Sequence, residues 1–201
     1  MLYPKAFQAL IDALQVLPGV GLKTAERYAF ALMDANNQVK TQLAEGLLHL
    51  NDIHHCAVCG NLCDGDICSV CDDENRNHQL CCVVSNSKDL LAIENSGVYK
   101  GVYHVLNGVI SASKGIYPSD LTLDQLFARI ERENIKEIVV ATPLTMDGEM
   151  TALYINNKLA NEDVLVTRIA KGLPMGGQID YADSTTLKQA FNGRKKVEGN
   201  E

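Results

Sequence analysis

Residues 56–71 read CAVCGNLCDGDICSVC, and the chain changes character on either side of them. Two C-x2-C pairs, Cys56/Cys59 and Cys68/Cys71, are separated by eight residues that include the turn formers Asn61, Asp64, Gly65 and Asp66. Tetrahedral zinc takes four soft ligands and each pair supplies two from one tight turn, so the spacing predicts one structural Zn2+ held by all four thiolates. The competing reading, a redox-active C-x2-C, occurs once and leads into the helix of a βαβ unit. Here the pattern is doubled and neither copy leads into such a helix. Cys63, between the pairs, has no place in a four-coordinate site and reads as a spare thiol. His49, His54 and His55 read as surface or packing histidines. The charges between Cys56 and Cys71 are Asp64 and Asp66 alone. With no cation to meet a phosphate, the segment reads as a structural joint between the regions before and after it, stabilised by its metal.

Upstream the pattern is helical. Phe7, Leu10, Ile11 and Leu14 have the i, i+3, i+4, i+7 spacing of a helix that buries one face, over residues 4–16. Pro18 discourages helix at Leu17, and Gly19 and Gly21 allow a tight turn in Leu17-Pro18-Gly19-Val20-Gly21. A second helix then starts at Lys23, with Ala25, Tyr28, Ala29 and Leu32 expected inward and Lys23 and Arg27 projecting together elsewhere. A third amphipathic helix is predicted over 38–53 through Leu43, Leu47 and Leu50. Amide groups exposed where a helix starts after a glycine turn make a phosphate site, and Lys23 and Arg27 would add charge to it. The stretch LPGVGLKTAERYAF resembles the helix-hairpin-helix motif of DNA-binding proteins, which grips the backbone without reading bases. Gly19, Gly21, Lys23 and Arg27 are its candidate DNA-binding residues.

Downstream, polar DDENRNHQ (72–79) reads as a domain boundary. Beyond it strand and helix alternate: strands at 80–84, 102–106, 137–141 and 164–169, and helices at 87–96, 122–133, 148–160 and 184–191. This order predicts an open, mostly parallel α/β sheet with helices on both faces. Partner surfaces on such sheets lie beyond the C-terminal strand ends, where the long connections 107–120 and 171–184 fall. Cys81 and Cys82 lie in the apolar run LCCVV and read as small hydrophobes. The tail GRKKVEGNE has no apolar pattern and is expected to be mobile.

The 201 residues are 46% hydrophobic, as in ordinary globular proteins. With no long apolar run and no basic-then-apolar start, a membrane span and a secretory signal are not expected. Seven cysteines, four of them at metal spacing, suit a reducing cytoplasm. A net charge of −7 argues against the whole surface binding nucleic acid, so any such site is local or multiplied by oligomerisation.

Three further stretches, YKGVYHVLNGVISASKGIYPSDL, ATPLTMDGEMTALYI and TRIAKGLPMGGQIDYADSTTL, follow the glycine hairpin and the cysteine cluster in that order. Together they closely resemble the bacterial RecR family of recombination mediators, from about Leu10 to Arg194. The resemblance implies a multidomain α and α/β fold: a helix-hairpin-helix DNA-binding domain (1–53), a four-cysteine zinc finger (54–72), a Toprim domain (79–170), and a C-terminal Walker-B-like segment with the tail (171–201). It implies a non-enzymatic DNA repair and recombination protein of the cytoplasm and nucleoid. Such proteins form homo-oligomers, commonly tetrameric rings, and act with RecO, and in many bacteria RecF, to load RecA on single-stranded DNA. Acidic residues of the Toprim helices and Tyr181-Ala182-Asp183 are candidate partner contacts.

Two alternatives stand beside that expectation. A metal-dependent Toprim nuclease or topoisomerase needs clustered carboxylates to hold Mg2+ beside the reacting phosphate. Active Toprim enzymes carry a Glu after the first strand, where VVSNSKD has Ser85, and an Asp-x-Asp after a later one, where ATPLTMDGE has Pro143 and Thr145. Asp147, Glu149, Asp89 and Glu94 remain nearby as possible weak ligands or as helix-capping and partner-facing groups. No G-x4-G-K-[ST] occurs, which argues against an ATPase. The other alternative is a scaffold for a partner without direct DNA binding.

Overall fold

The computed structural model describes residues 3–196, which fall in two compact units, Met1–Ile53 and His54–Glu201. The first is helical: α1 (Lys5–Leu14), α2 (Leu22–Asp34) and α3 (Asn37–Leu48). Its core is small. Ile11 of α1 is fully buried against Ala25 and Ala29 of α2, with Phe7, Leu10, Leu14 and Val20 around them. The two alanines lie four residues apart, one turn along the helix, and their short side chains let α1 approach. That stripe fixes the rotation of α2 and corrects one expectation: Tyr28 is not inward but exposed, with the Arg27 guanidinium 5.5 Å from its ring centroid.

Asn36 caps α3 by accepting from the Val39 amide at 2.9 Å, yet α3 has no buried residue. Its apolar face, through Leu43 and Leu47, instead lines an open groove of about 730 Å3 with Phe7, Leu10, Phe30 and Met33. A unit of about 50 residues has little surface to close over such a face. The amphipathic pattern is present, but among the described residues nothing within the unit covers it.

The second unit is built on a parallel sheet of β3 (Asn77–Val84), β4 (Gly101–Val105), β5 (Glu137–Ala141) and β6 (Leu165–Arg168), in the order β4-β3-β5-β6. Val84 stands opposite Val105 on one side and Ala141 on the other, so the C-terminal strand ends are level at the sheet centre. Side chains alternate between faces. Cys81 and Val83 enter a core with Leu126 and Ile130 of α6 (Leu123–Glu133) and Ile155 of α7 (Met146–Lys158). Cys82 and Val84 enter the other, with Leu90 of α5 (Ser87–Ser96), Tyr103 and Val105. The two cysteines are therefore core side chains, and burial pushes both thiols up to about 12.

Cys56, Cys59 and Cys68 belong to this second core, so the zinc segment shares the sheet's hydrophobic face with α5. It adds a two-residue ribbon, β1 (His54–His55) with β2 (Leu62–Cys63), and one helical turn, α4 (Ser69–Asp72). Residues 73–76 connect α4 to β3 within the second unit, and the metal segment packs directly on the sheet it precedes. α7 starts at Met146, two residues before its predicted start, because the Thr145 hydroxyl caps it by accepting from the Gly148 amide. A Cβ at Gly148 would collide with the Pro143 carbonyl.

Beyond Leu159 none of the described residues is fully buried. α8 (Ser184–Asn192) is capped by Asp183, and Met175, Ile179, Tyr181 and Phe191 are exposed. The end of the expected mobile tail, residues 197–201, lies outside the described residues. Among the described residues no helix is long and apolar enough to cross a membrane.

A cysteine metal centre and a candidate DNA hairpin

The four cysteine sulfurs at 56, 59, 68 and 71 all lie within 4.8 Å of one another. Tetrahedral zinc with Zn–S of about 2.3 Å puts its ligands about 3.8 Å apart, so the set fits the ion with small adjustments. Local chain geometry builds it. The Gly60 amide donates to Cys56 O at 2.9 Å, closing the first turn, and Gly60 takes a φ of +76° that favours glycine. The Cys71 amide donates to Cys68 O at 3.0 Å, closing the second. The Cys68 amide donates to Cys56 Sγ at 3.3 Å, tying the second turn to the first. Three of the four thiols are buried, which keeps water from competing for the metal. Cys63 stays outside the set, its thiol donating to Gly65 O at 2.8 Å.

In the helical unit, Gly19 has φ of +80° and the Val20 amide donates to Leu17 O at 3.1 Å, which makes the tight turn. Gly21 caps α2, accepting from the Thr24 and Ala25 amides at 3.0 and 2.9 Å. The first amides of the helix point outward beyond it. A Cβ on either glycine would meet nothing within 4 Å. At Gly21, whose φ of −84° suits any residue, the protein itself does not demand glycine; the position is simply open to whatever approaches. Lys23 and Arg27 are both exposed, one helical turn apart.

The comparisons with known proteins follow the same division. Residues 7–50 match the family model for the RecR helix-hairpin-helix, 53–73 that for the RecR four-cysteine zinc finger domain, 79–170 that for the Toprim domain and 172–195 that for the RecR C-terminal region. The chain is 48% identical over 196 residues to "Recombination protein RecR" of Natranaerobius thermophilus, covering 97% of this chain and 98% of that one. The chain belongs to the RecR family. Its fold is a helix-hairpin-helix unit, a four-cysteine zinc finger with one structural zinc site, and a Toprim α/β domain, and its role lies in recombination and DNA repair.

In this RecR-family chain each Toprim carboxylate singled out above, other than Asp147, is engaged inside the protein. Glu149 accepts from Lys171 Nζ at 2.5 Å and from Arg168 Nη2 at 2.8 Å, and the Lys171 contact first, with Arg168 beside it, holds its carboxyl below the ordinary range. Arg168 also donates to the Thr142 hydroxyl at 2.9 Å, so two cations occupy the region beyond the β5 end. Glu94 accepts from Arg76 Nη1 at 3.0 Å and the Tyr103 hydroxyl at 2.6 Å, and Arg76 depresses its carboxyl most. Asp89 accepts from the Asn86 side chain at 2.8 Å and the Ser85 hydroxyl at 2.5 Å at the start of α5. Asp183 accepts from the Thr185 and Thr186 amides at 2.9 and 3.0 Å, so it acts as a helix cap. Among the described residues the cysteine quartet is the one metal-ligating cluster.

Arg76, Arg168 and Lys171 were not singled out from the sequence, because their partners lie 18 to 26 residues away. Arg129 did leave a signal: it interrupts the buried face of α6 between Leu126 and Ile130 and is itself only 1% exposed.

Proposed function

We propose that this protein is a non-enzymatic recombination mediator that binds the DNA backbone through its glycine hairpin. In this reading it works with a RecO-type partner, and with RecF where the organism has it, to load RecA on single-stranded DNA. The hairpin carries the proposal: Gly19, Gly21 and the outward amides of α2 form a cradle for a phosphate, with Lys23 and Arg27 exposed beside it. Contacts of this kind position the protein without reading bases, so DNA binding is salt-sensitive and little affected by sequence.

Replacing Lys23 and Arg27 with Ala tests it. Each phosphate contact contributes about 0.9 to the duplex salt slope, so the double variant loses about two units of slope per bound hairpin and most of its affinity, with its circular dichroism unchanged. Undiminished binding would refute the assignment.

A subunit with net charge −7 binds a polyanion better in several copies, since linked hairpins raise the effective concentration. We therefore propose a homo-oligomer, with a tetrameric ring as the expected form. The open apolar groove of the helical unit and the exposed apolar residues of the C-terminal segment support it.

The internal ion pairs of Glu149 and Glu94 support a non-catalytic Toprim domain, because a carboxylate shared with two cations is a poor ligand for Mg2+. The expected result with DNA and Mg2+ or Mn2+ is no nicking or relaxation. Cleavage that disappears on changing Asp147 and Glu149 would favour the enzyme reading. DNA binding measured with and without a RecO-type protein separates the mediator from a partner scaffold, which would show DNA association in the presence of its partner alone.

A further inference from the structure

β4 is an edge strand, and the groups it turns outward are covered from three directions. Arg129 Nη1 donates to Tyr103 O at 2.6 Å, the Val105 amide donates to Cys59 O at 2.7 Å, and the Thr122 hydroxyl donates to Val105 O at 2.7 Å. Tyr103 and Val105 are two residues apart, roughly 6.8 Å along the strand. The Arg129 guanidinium and the backbone of a zinc ligand are therefore neighbouring fixtures on one edge.

Arg129 is the largest fully buried side chain among the described residues. Its Nε donates to Glu133 at 2.7 Å, while its buried Nη2 has no hydrogen-bond partner among the described residues. An i,i+4 pair with Glu133 needs no burial, since such pairs form on helix surfaces. Something else is required to offset a cation carried to the sheet edge. Four thiolates around Zn2+ carry a net charge of about −2, and residues 56–71 contain no Lys or Arg to offset it. Burial works against the guanidinium charge, and the Glu133 carboxylate at 2.7 Å opposes that penalty, so Arg129 stays a cation.

We propose that Arg129 is a positioning residue for the zinc centre: its buried guanidinium, fixed on Tyr103 O beside the Cys59 carbonyl, supplies the counter-charge to the metal and its thiolates. Zinc occupancy and closure of the β4 edge are then coupled through α6. The inference rests on the zinc site and is independent of the DNA reading.

The test is zinc affinity of the full-length protein at fixed pH, by competition with a chromogenic chelator, beside denaturant unfolding of the zinc-loaded form. Arg129→Gln keeps a donor for Tyr103 O but removes the charge, and is expected to weaken zinc binding about 10- to 100-fold. Arg129→Lys, which keeps the charge, restores most of that loss. Glu133→Gln removes the carboxylate that competes for the guanidinium and binds zinc at least as tightly as the parent. A merely structural Arg129 predicts otherwise: Gln and Lys variants fall together, zinc affinity tracks unfolding stability, and Glu133→Gln binds zinc more weakly. Any of these overturns the proposal. If Arg129→Gln does not fold, Glu133→Gln decides it, because its expected effect on zinc affinity is opposite in sign to the structural one.

Discussion

Gly60→Ala is the sharpest probe of how the metal segment is held to the sheet. Two separate penalties act at this one position. A φ of +76° is unfavourable for an L-residue by about 1 to 2 kcal/mol. In addition, the new Cβ would stand 2.9 Å from Val105 O, a backbone atom that cannot swing aside. Relief requires the first knuckle to move off the β4 edge, which breaks the 2.7 Å bond from the Val105 amide to Cys59 O. An unsatisfied buried amide costs about 1 to 3 kcal/mol. Together these give about 3 kcal/mol. Two other glycines separate the contributions. Gly115 has φ of +68° with nothing within 4 Å of a Cβ, so Gly115→Ala should lose about 1 to 2 kcal/mol from the backbone alone. Gly65 has open space and no positive φ, so Gly65→Ala should stay within about 0.5 kcal/mol. Denaturant unfolding of the zinc-loaded proteins, with zinc content measured on the same samples, reads all three. If Gly60→Ala is no worse than Gly115→Ala and keeps its zinc, the knuckle is not pinned to Val105 and the account of the sheet edge fails.

Burial, with a smaller push from Arg129, lowers His104 to about 4 against the opposing Thr122 carbonyl and Glu133. An unfolded histidine titrates near 6.5, so the unfolded state takes up the proton first as pH falls. Stability is then full above about pH 6.5 and declines by about 3 kcal/mol towards pH 4, and His104→Gln should flatten that part of the profile; an unchanged slope would remove His104 as its source. Arg76 and Glu94 should couple by about 2 kcal/mol in a cycle of Arg76→Met and Glu94→Gln, with the coupling lost below the ordinary carboxylate range because Glu94 titrates below it. Leu43 and Leu47 are 46% and 61% exposed, so changing both to Glu should leave helicity intact. If the groove is a contact between copies, light scattering should show a smaller assembly, and an unchanged mass would exclude it.

The sequence by itself determined what is local. Each C-x2-C pair closes inside one turn, so the spacing alone predicted the metal quartet, and Cys63 could be set aside by coordination number. The strand Glu137–Ala141 and the helix Ser87–Ser96 were readable to the residue, because Asn86 caps the helix and Gly97, with φ of +68°, ends it. Gly19 and Gly21 announced the hairpin for the same reason. Tertiary structure decided what depends on partners far along the chain. Periodicity placed Tyr28 inward, but the Ala25–Ala29 stripe turned it out once α1 had packed there. Strand order made β4 an edge, and so gave the zinc segment a place to dock in the second unit. Glu149 looked like a remnant metal ligand until folding brought Lys171 to it from 22 residues away. A charge visible in sequence has no assigned work until the chain's return supplies its neighbours, and Arg129 acquires Tyr103 O and the zinc segment only when α6 lies against the edge strand.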